Sequence, residues 1–244
     1  MSFSHTDLPT LRDMCERAAQ DVVTTLAAKQ ASGGEAHLVL TGGTAGIETC
    51  RQLLALHQAA EQQRESFPID AINWETTHVY FGDERNVPVA DPESNEGQAR
   101  EALLNHVPIP ESNIHSFGLD GTEDSAYLTN KATEYEALLP ERFDVHLFGV
   151  GPDGHVNSLF PSHAALVEED WLVTFVTDSP KPPAQRLTLT FPAVARADKA
   201  ILLISGKAKA AAFAAVDAGK PAIECPAAEV TRRTNATVFT SELG

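Results

Sequence analysis

"FDVHLFGVGPDGHVNSLFP", residues 143–161, decides how this chain is read. It opens on a short apolar run of the kind that forms a strand buried on both faces. It then changes abruptly to turn chemistry, with Gly149, Gly151 and Gly154 set around Asp153 and His155. A parallel strand that ends this way places polar groups at the carboxyl edge of a sheet, where open α/β sheets bind their ligands.

Working outward, the same alternation recurs. Leu11, Cys15, Ala18, Val22 and Leu26 recur at helical spacing and predict a helix over 10–30. "AHLVL" (36–40) reads as a strand, "TGGTAG" (41–46) as a turn and "IETCRQLLALHQAA" (47–60) as a helix. "THVYF" (77–81) is a strand, "NEGQAREALLNHV" (95–107) a helix, "NIHSF" (113–117) a short strand and "DSAYLTNKATEYEALL" (124–139) a helix. "WLVTFVT" (171–177), "RLTLTF" (186–191), "DKAILLIS" (198–205) and "NATVFT" (235–240) read as strands, with "GKAKAAAFAAV" (206–216) as a helix. Residues 61–75 stay unassigned, and Pro221 and Pro226 predict loop over 218–234. Strands alternating with helices predict an α/β fold, a mostly parallel sheet flanked by helices on both faces. The expected organisation is a single domain over 1–244, with a small excursion around 160–190.

Composition narrows the function. Acidic residues number 34 against 18 basic, a formal net charge of −16, which opposes nucleic-acid binding. No apolar run approaches the roughly 20 residues of a membrane span, and residues 1–10 lack the basic and apolar regions of a signal peptide. Cys15, Cys50 and Cys225 are scattered and without metal spacing, so a reducing cytoplasm fits and the "NAT" acceptor at 235–237 would go unused there. Neither H-E-x-x-H nor C-x-x-C occurs, and no metal or other cofactor is expected.

Four segments carry candidate chemistry. In "LTGGTAG" (40–46), Gly42, Gly43 and Thr44 enter a helix whose free N–H groups suit a phosphate. The spacing is neither a Walker A motif nor G-x-G-x-x-G, so a dinucleotide fingerprint is absent, and a turn that simply needs glycine is an equal reading. In "FGDERNVP" (81–88), Arg85 offers a fork of donors to a phosphate, and Asp83 or Glu84 suits orientation or acid–base work. A solvated charged turn is the plain alternative. In the opening stretch, His155 is the residue whose type suits a general base at neutral pH and Asp153 suits its orientation, while Gly151 and Gly154 permit close ligand approach. In "DSPKPPAQRLTLTF" (178–191), prolines stiffen a loop that carries Lys181 and Arg186, otherwise a rigid connector. Lys207 and Lys209 follow the strand ending near Ser205. Ser158 lacks a G-x-S-x-G elbow, so a hydrolase reading favours direct attack by water over an acyl-enzyme.

Together, "TGGTAG", "VYFGDERNVPVADPESNEGQAR", "FDVHLFGVGPDGHVNSLFP", "DSPKPPAQRLTLTFPAV" and "GKAKAAAF" resemble, in order, the motifs of the 6-phosphogluconolactonase family. That family belongs to the glucosamine-6-phosphate isomerase/deaminase superfamily, and the resemblance implies a modified Rossmann-like sheet. It implies hydrolysis of 6-phospho-D-glucono-1,5-lactone to 6-phosphogluconate in the oxidative pentose phosphate pathway, in a cytoplasmic protein, often a monomer. The implied roles are His155 with Asp153 as the catalytic pair, and Gly42, Gly43, Thr44, Arg85, Lys209 and Arg186 around the phosphate. Asp83 would position substrate or Arg85, and backbone N–H groups of Gly151 and Gly154 would meet an oxyanion. The deaminases continue their D-G-H core with a glutamate-containing run. Here "VNSLFP" follows, which favours the lactonase over a deaminase or a non-catalytic sugar-phosphate sensor. Asn157 stands where the family generally has alanine, a departure expected to be tolerable if its side chain faces solvent or bonds locally.

Overall fold

The computed structural model describes residues 3–63 and 71–244. Its frame is a six-stranded, wholly parallel sheet. In chain order the strands are β1 (Ser4–Leu8), β2 (Ala36–Leu40), β3 (Thr77–Phe81), β5 (Phe143–Gly149), β8 (Ala197–Ser205) and β9 (Ala236–Ser241). Spatially they run β1-β9-β8-β5-β2-β3. A second, antiparallel sheet runs β4-β7-β6, from Asp83–Arg85, Arg186–Leu189 and Val173–Val176. The segment around 160–190 thus supplies two strands of this small sheet.

Helices α1 (Leu11–Ala31) and α2 (Gly43–Gln63) pack on one face of the main sheet, and α5 (Phe191–Val194), α6 (Ala210–Asp217) and α7 (Pro226–Arg233) on the other. The alternation along β8 shows why both faces need cover. Ile201 and Leu203 enter one apolar cluster, and Ala200, Leu202 and Ile204 the other. With period-two geometry a strand apolar at every position is stable only between two layers. Two shorter helices, α3 (Asn95–Ala102) and α4 (Ser125–Glu136), lie towards the β3 side, where the Tyr135 hydroxyl closes onto the Phe81 backbone.

Several local expectations change. α2 starts at Gly43, so most of the expected "TGGTAG" turn is the helix's first turn. Of the loop expected over 218–234, residues 218–225 are irregular as expected, whereas 226–233 form α7. Pro226 sits at its start, where a missing N–H costs no helical hydrogen bond. "NIHSF" forms no strand and gives a single bridge from Ile114 to Val79. β1 and β4 were not expected. β1 is polar and exposed, an edge strand held by its ladder to β9, and β4 carries only charged side chains. The unassigned stretch 61–75 gives the end of α2 and a 3₁₀ turn at Trp74–Thr76, and its 64–70 portion lies outside the described residues.

Candidate active site

Chain order reverses across the sheet between β2 and β5, because β3 follows on one side and β8 and β9 lie on the other. Such a switch point splays the following loops apart and opens a crevice. A cavity of about 290 Å³ lies there. Gly42, Gly43, Thr44, Asp83, Arg85, Gly151, His155, Arg186 and Lys209 all line it, so residues up to 167 positions apart in sequence converge. Asp153 and Gly154 are not on its wall. The two central loops are tied together where the Gly149 N–H donates to Thr41 Oγ1 at 3.1 Å.

The His155 loop closes on itself. Gly151 N–H donates to the His155 carbonyl at 2.9 Å, and Gly154 N–H to the Gly151 carbonyl at 3.0 Å. Both N–H groups expected to meet an oxyanion are therefore already engaged, and that assignment is corrected. Gly154 instead has φ +81°, and a Cβ there would lie 2.8 Å from Cys225 Sγ; its carbonyl accepts from Ala227 N–H at the start of α7. Asp153 Oδ1 lies 2.5 Å from His155 Nδ1. Burial raises the Asp153 pKa, but its hydrogen bond and the charges of His155 and Lys181 outweigh this and bring it to about 2. An ionised Asp153 fixes the tautomer with the proton on Nδ1, leaving Nε2 as the basic nitrogen. The ring is tilted against Phe160 with centroids 4.7 Å apart, which holds its plane.

The remaining wall is cationic, set around the N-terminus of the 21-residue α2, which has no acidic residue in its first turn. Burial, then the charge of Lys181, lowers the pKa of Lys209. Neither lysine ammonium has a hydrogen-bond or ion-pair partner among the described residues. Arg85 is held by Nη1, which donates to the Glu93 carbonyl at 2.6 Å and to Asn95 Oδ1 at 3.0 Å. Arg186 is 5% exposed, and burial lowers its pKa. Its Nε and Nη2 donate to the carbonyls of Pro183, Lys181 and Pro182, so most of its donors pin the proline loop over the cavity. Asp83 is buried, accepting from Ser158 Oγ at 2.6 Å and lying 3.9 Å from Arg186 Nη1.

Glu84 does not line the cavity. It is 4% exposed and accepts from the N–H groups of Arg85, Asn95 and Glu96 and from the Ser94 hydroxyl. Burial pushes its pKa up to about 7 against the pull of these hydrogen bonds. Its suggested acid–base role is thus replaced by a place at the start of α3. Asn157 does not face solvent. It is buried with φ 50°, a conformation that asparagine tolerates, and its amide finds no hydrogen bond. That amide faces the wholly buried His146 beneath Gly82. Burial drives the His146 pKa down to about 3, against a small upward pull from Asn157.

Sequence reasoning missed Asn95 as a lining residue, although its "SN" lies inside a quoted motif. An asparagine carries no titratable signal, and only the fold brings it beside Gly42. Among the described residues, no cluster of His, Cys, Asp or Glu is arranged to hold a metal, and no helix is long and apolar enough to cross a membrane.

The family model described as glucosamine-6-phosphate isomerases/6-phosphogluconolactonase matches residues 9–239. The chain belongs to this family. Among its members, the 6-phosphogluconolactonase of Mycobacterium tuberculosis is 40% identical over 244 residues, covering 96% of this chain and 94% of that one. The 6-phosphogluconolactonase of Streptomyces coelicolor is 40% identical over 227 residues, covering 88% and 83%. The fold is shared with the 6-phosphogluconolactonase from Trypanosoma brucei (TM-score 0.82, 24% identity, 99% of this chain and 97% of that one). It is equally shared with a monomeric glucosamine-6-phosphate deaminase (TM-score 0.80, 22% identity, 99% and 98%), so fold alone does not separate the two activities.

Proposed function

We propose that this chain is a 6-phosphogluconolactonase, hydrolysing 6-phospho-D-glucono-1,5-lactone to 6-phosphogluconate in the oxidative pentose phosphate pathway of the cytoplasm. The observation that carries the reading is the His155–Asp153 pair, 2.5 Å apart, with His155 on the wall of a cationic cavity at the sheet's switch point. The names of the relatives, 40% identical over most of the chain, point the same way.

In the mechanism we infer, His155 Nε2 removes a proton from water as its oxygen attacks C1 of the lactone. The C1–ring-oxygen bond then breaks, and the imidazolium returns the proton to the departing oxygen. Asp153 holds the imidazole in the required tautomer and stabilises its charged form. General base catalysis of this kind contributes about 10²–10⁴-fold. The lactone is already an activated ester, so this modest factor is adequate. The N-terminus of α2 at Gly42, Gly43 and Thr44, with Arg85 and Lys209, takes the phosphate. Arg186 contributes mainly by holding Lys181 and its loop in place, and Asp83 by holding Arg186 and Ser158. Binding the remote phosphate orients the reacting carbonyl.

Deamination is the competing reading, since the family includes it. It needs a further acid–base group beside the histidine, and "VNSLFP" supplies no carboxylate after His155. Side-by-side assays on fresh lactone and on glucosamine 6-phosphate separate the two. Acid release above the protein-free rate, without ammonia, is expected. Ammonia release without lactone turnover would reverse the assignment.

A further inference from the structure

Arg85 ends the short strand β4 and lines the cavity, and neighbouring side chains hold both its backbone and its guanidinium. Glu84 has every favourable acceptor position occupied. Oε1 accepts from the N–H of Arg85 at 2.9 Å and of Asn95 at 2.8 Å. Oε2 accepts from the Ser94 hydroxyl at 2.9 Å and from the N–H of Glu96 at 2.8 Å. One carboxylate thus clamps the backbone at Arg85 to the first turn of α3, ten residues on in the sequence. Ser94, the N-cap, is fixed twice, because its hydroxyl also accepts from Gly97 N–H at 3.0 Å.

That clamp sets the position of Asn95, the first residue of α3. Its Nδ2 donates to the Asp83 carbonyl at 2.9 Å, and its Oδ1 accepts from Arg85 Nη1 at 3.0 Å. A Cβ on Gly42 would fall 1.9 Å from the same Oδ1, so Asn95 fills the space that this glycine leaves beside the α2 N-terminus. The hydrogen bonds of Arg85 both use Nη1, which leaves Nη2 without a hydrogen-bond partner among the described residues. A helix cap alone would account for Glu84's bonds to α3. It would not account for the bond to the Arg85 N–H or for the Asn95 side chain bridging Asp83 and Arg85.

We propose that Glu84 and Asn95 form a buried relay that aims Arg85 at the phosphate of a sugar-phosphate ligand, with Glu84 a positioning residue that never touches the ligand. The proposal rests on the reading of this cavity as a sugar-phosphate site. A binding test keeps the two apart, since binding of the product needs no turnover.

The test is a double-mutant cycle on 6-phosphogluconate affinity, by calorimetry, with Glu84→Gln, Arg85→Ala and the pair. Glutamine keeps an acceptor for Arg85 and Asn95 but turns an NH₂ towards the Ser94 hydroxyl and the Glu96 N–H. Glu84→Gln is expected to raise Kd roughly tenfold, the worth of about one charged hydrogen bond. It should raise KM for the lactone in parallel and leave kcat near that of wild type. In the Arg85→Ala background, Glu84→Gln should change Kd by less than about twofold, because the relay then has nothing to aim. Additive losses would overturn the relay and leave Glu84 as a helix cap. If Glu84→Gln does not fold, the cycle of Asn95→Ala with Arg85→Ala decides on the same criterion. Absence of 6-phosphogluconate binding by the wild type would overturn the sugar-phosphate reading, and the relay with it.

Discussion

A methyl group on Gly151 would lie 2.0 Å from both Cε1 and Nδ1 of His155 and 2.5 Å from Asp153 Oδ1. The glycine is therefore required for the His155–Asp153 pair to form, not for an unusual backbone angle. Gly151→Ala should lose most turnover, on the order of 10²-fold or more as the base is displaced, while 6-phosphogluconate binding through the phosphate persists. Steady-state kinetics beside calorimetry check this, and unchanged kcat would show that His155 can shift without cost. The closeness of His155 and Asp153 was suggested by the sequence, because they stand two residues apart among glycines after a buried strand. The bonding of the Gly151 and Gly154 N–H groups was not legible, since it depends on how the loop folds back. The placement of Asn157 was hidden for the same reason: its burial against His146 is a tertiary fact, invisible to local pattern.

At the scale of elements, the buried strands were readable from apolar runs, and the edges were not. β1 has no apolar alternation to announce it, and β4 is three charged residues that pair only because β7 arrives beside them. The β3 side of the sheet also carries a device that the sequence concealed. His37 and His78 are register partners on β2 and β3, and His78 Nδ1 lies 3.0 Å from His115 Nε2. Tyr80 stacks on His115, with centroids 4.3 Å apart. Burial first, then the neighbouring imidazoles, lowers the His115 pKa to about 4, and His37 is lowered as well. These folded-state values lie below the unfolded value of about 6.5. The unfolded chain therefore binds more protons as pH falls, so the stabilisation is complete above about pH 6.5 and is lost as pH falls towards about 4. Melting temperatures between pH 7 and 4.5 should fall more steeply for wild type than for His115→Gln. Equal slopes would remove the cluster as the cause.

Across the whole molecule, one sheet serves two cores. β5 and β8 carry side chains into both apolar clusters, so neither face can open without exposing the other. We propose that the chain unfolds as a single domain, the small antiparallel sheet included. 6-phosphogluconate at 100 times its Kd should then stabilise the whole fold by about 2.7 kcal/mol, read as one shifted melting transition. Two transitions, with only one moved by ligand, would show that β4-β7-β6 melts separately. The same scale bears on how a protein of net charge −16 would hold the proposed anion. The overall field is unfavourable, but Arg85, Lys181, Arg186 and Lys209 converge on one cavity with the α2 N-terminus, and burial strengthens their local effect. Overall charge could be read from composition, whereas this convergence needed the topology.

The most direct measurement follows freshly prepared 6-phosphogluconolactone with wild type, His155→Ala and no protein in parallel, alongside 6-phosphogluconate binding to both proteins. The account expects wild type alone to accelerate ring opening, with His155→Ala slower by about 10²–10⁴-fold and product affinity little changed. Near wild-type turnover by His155→Ala would contradict the assignment of His155 as the base that activates water.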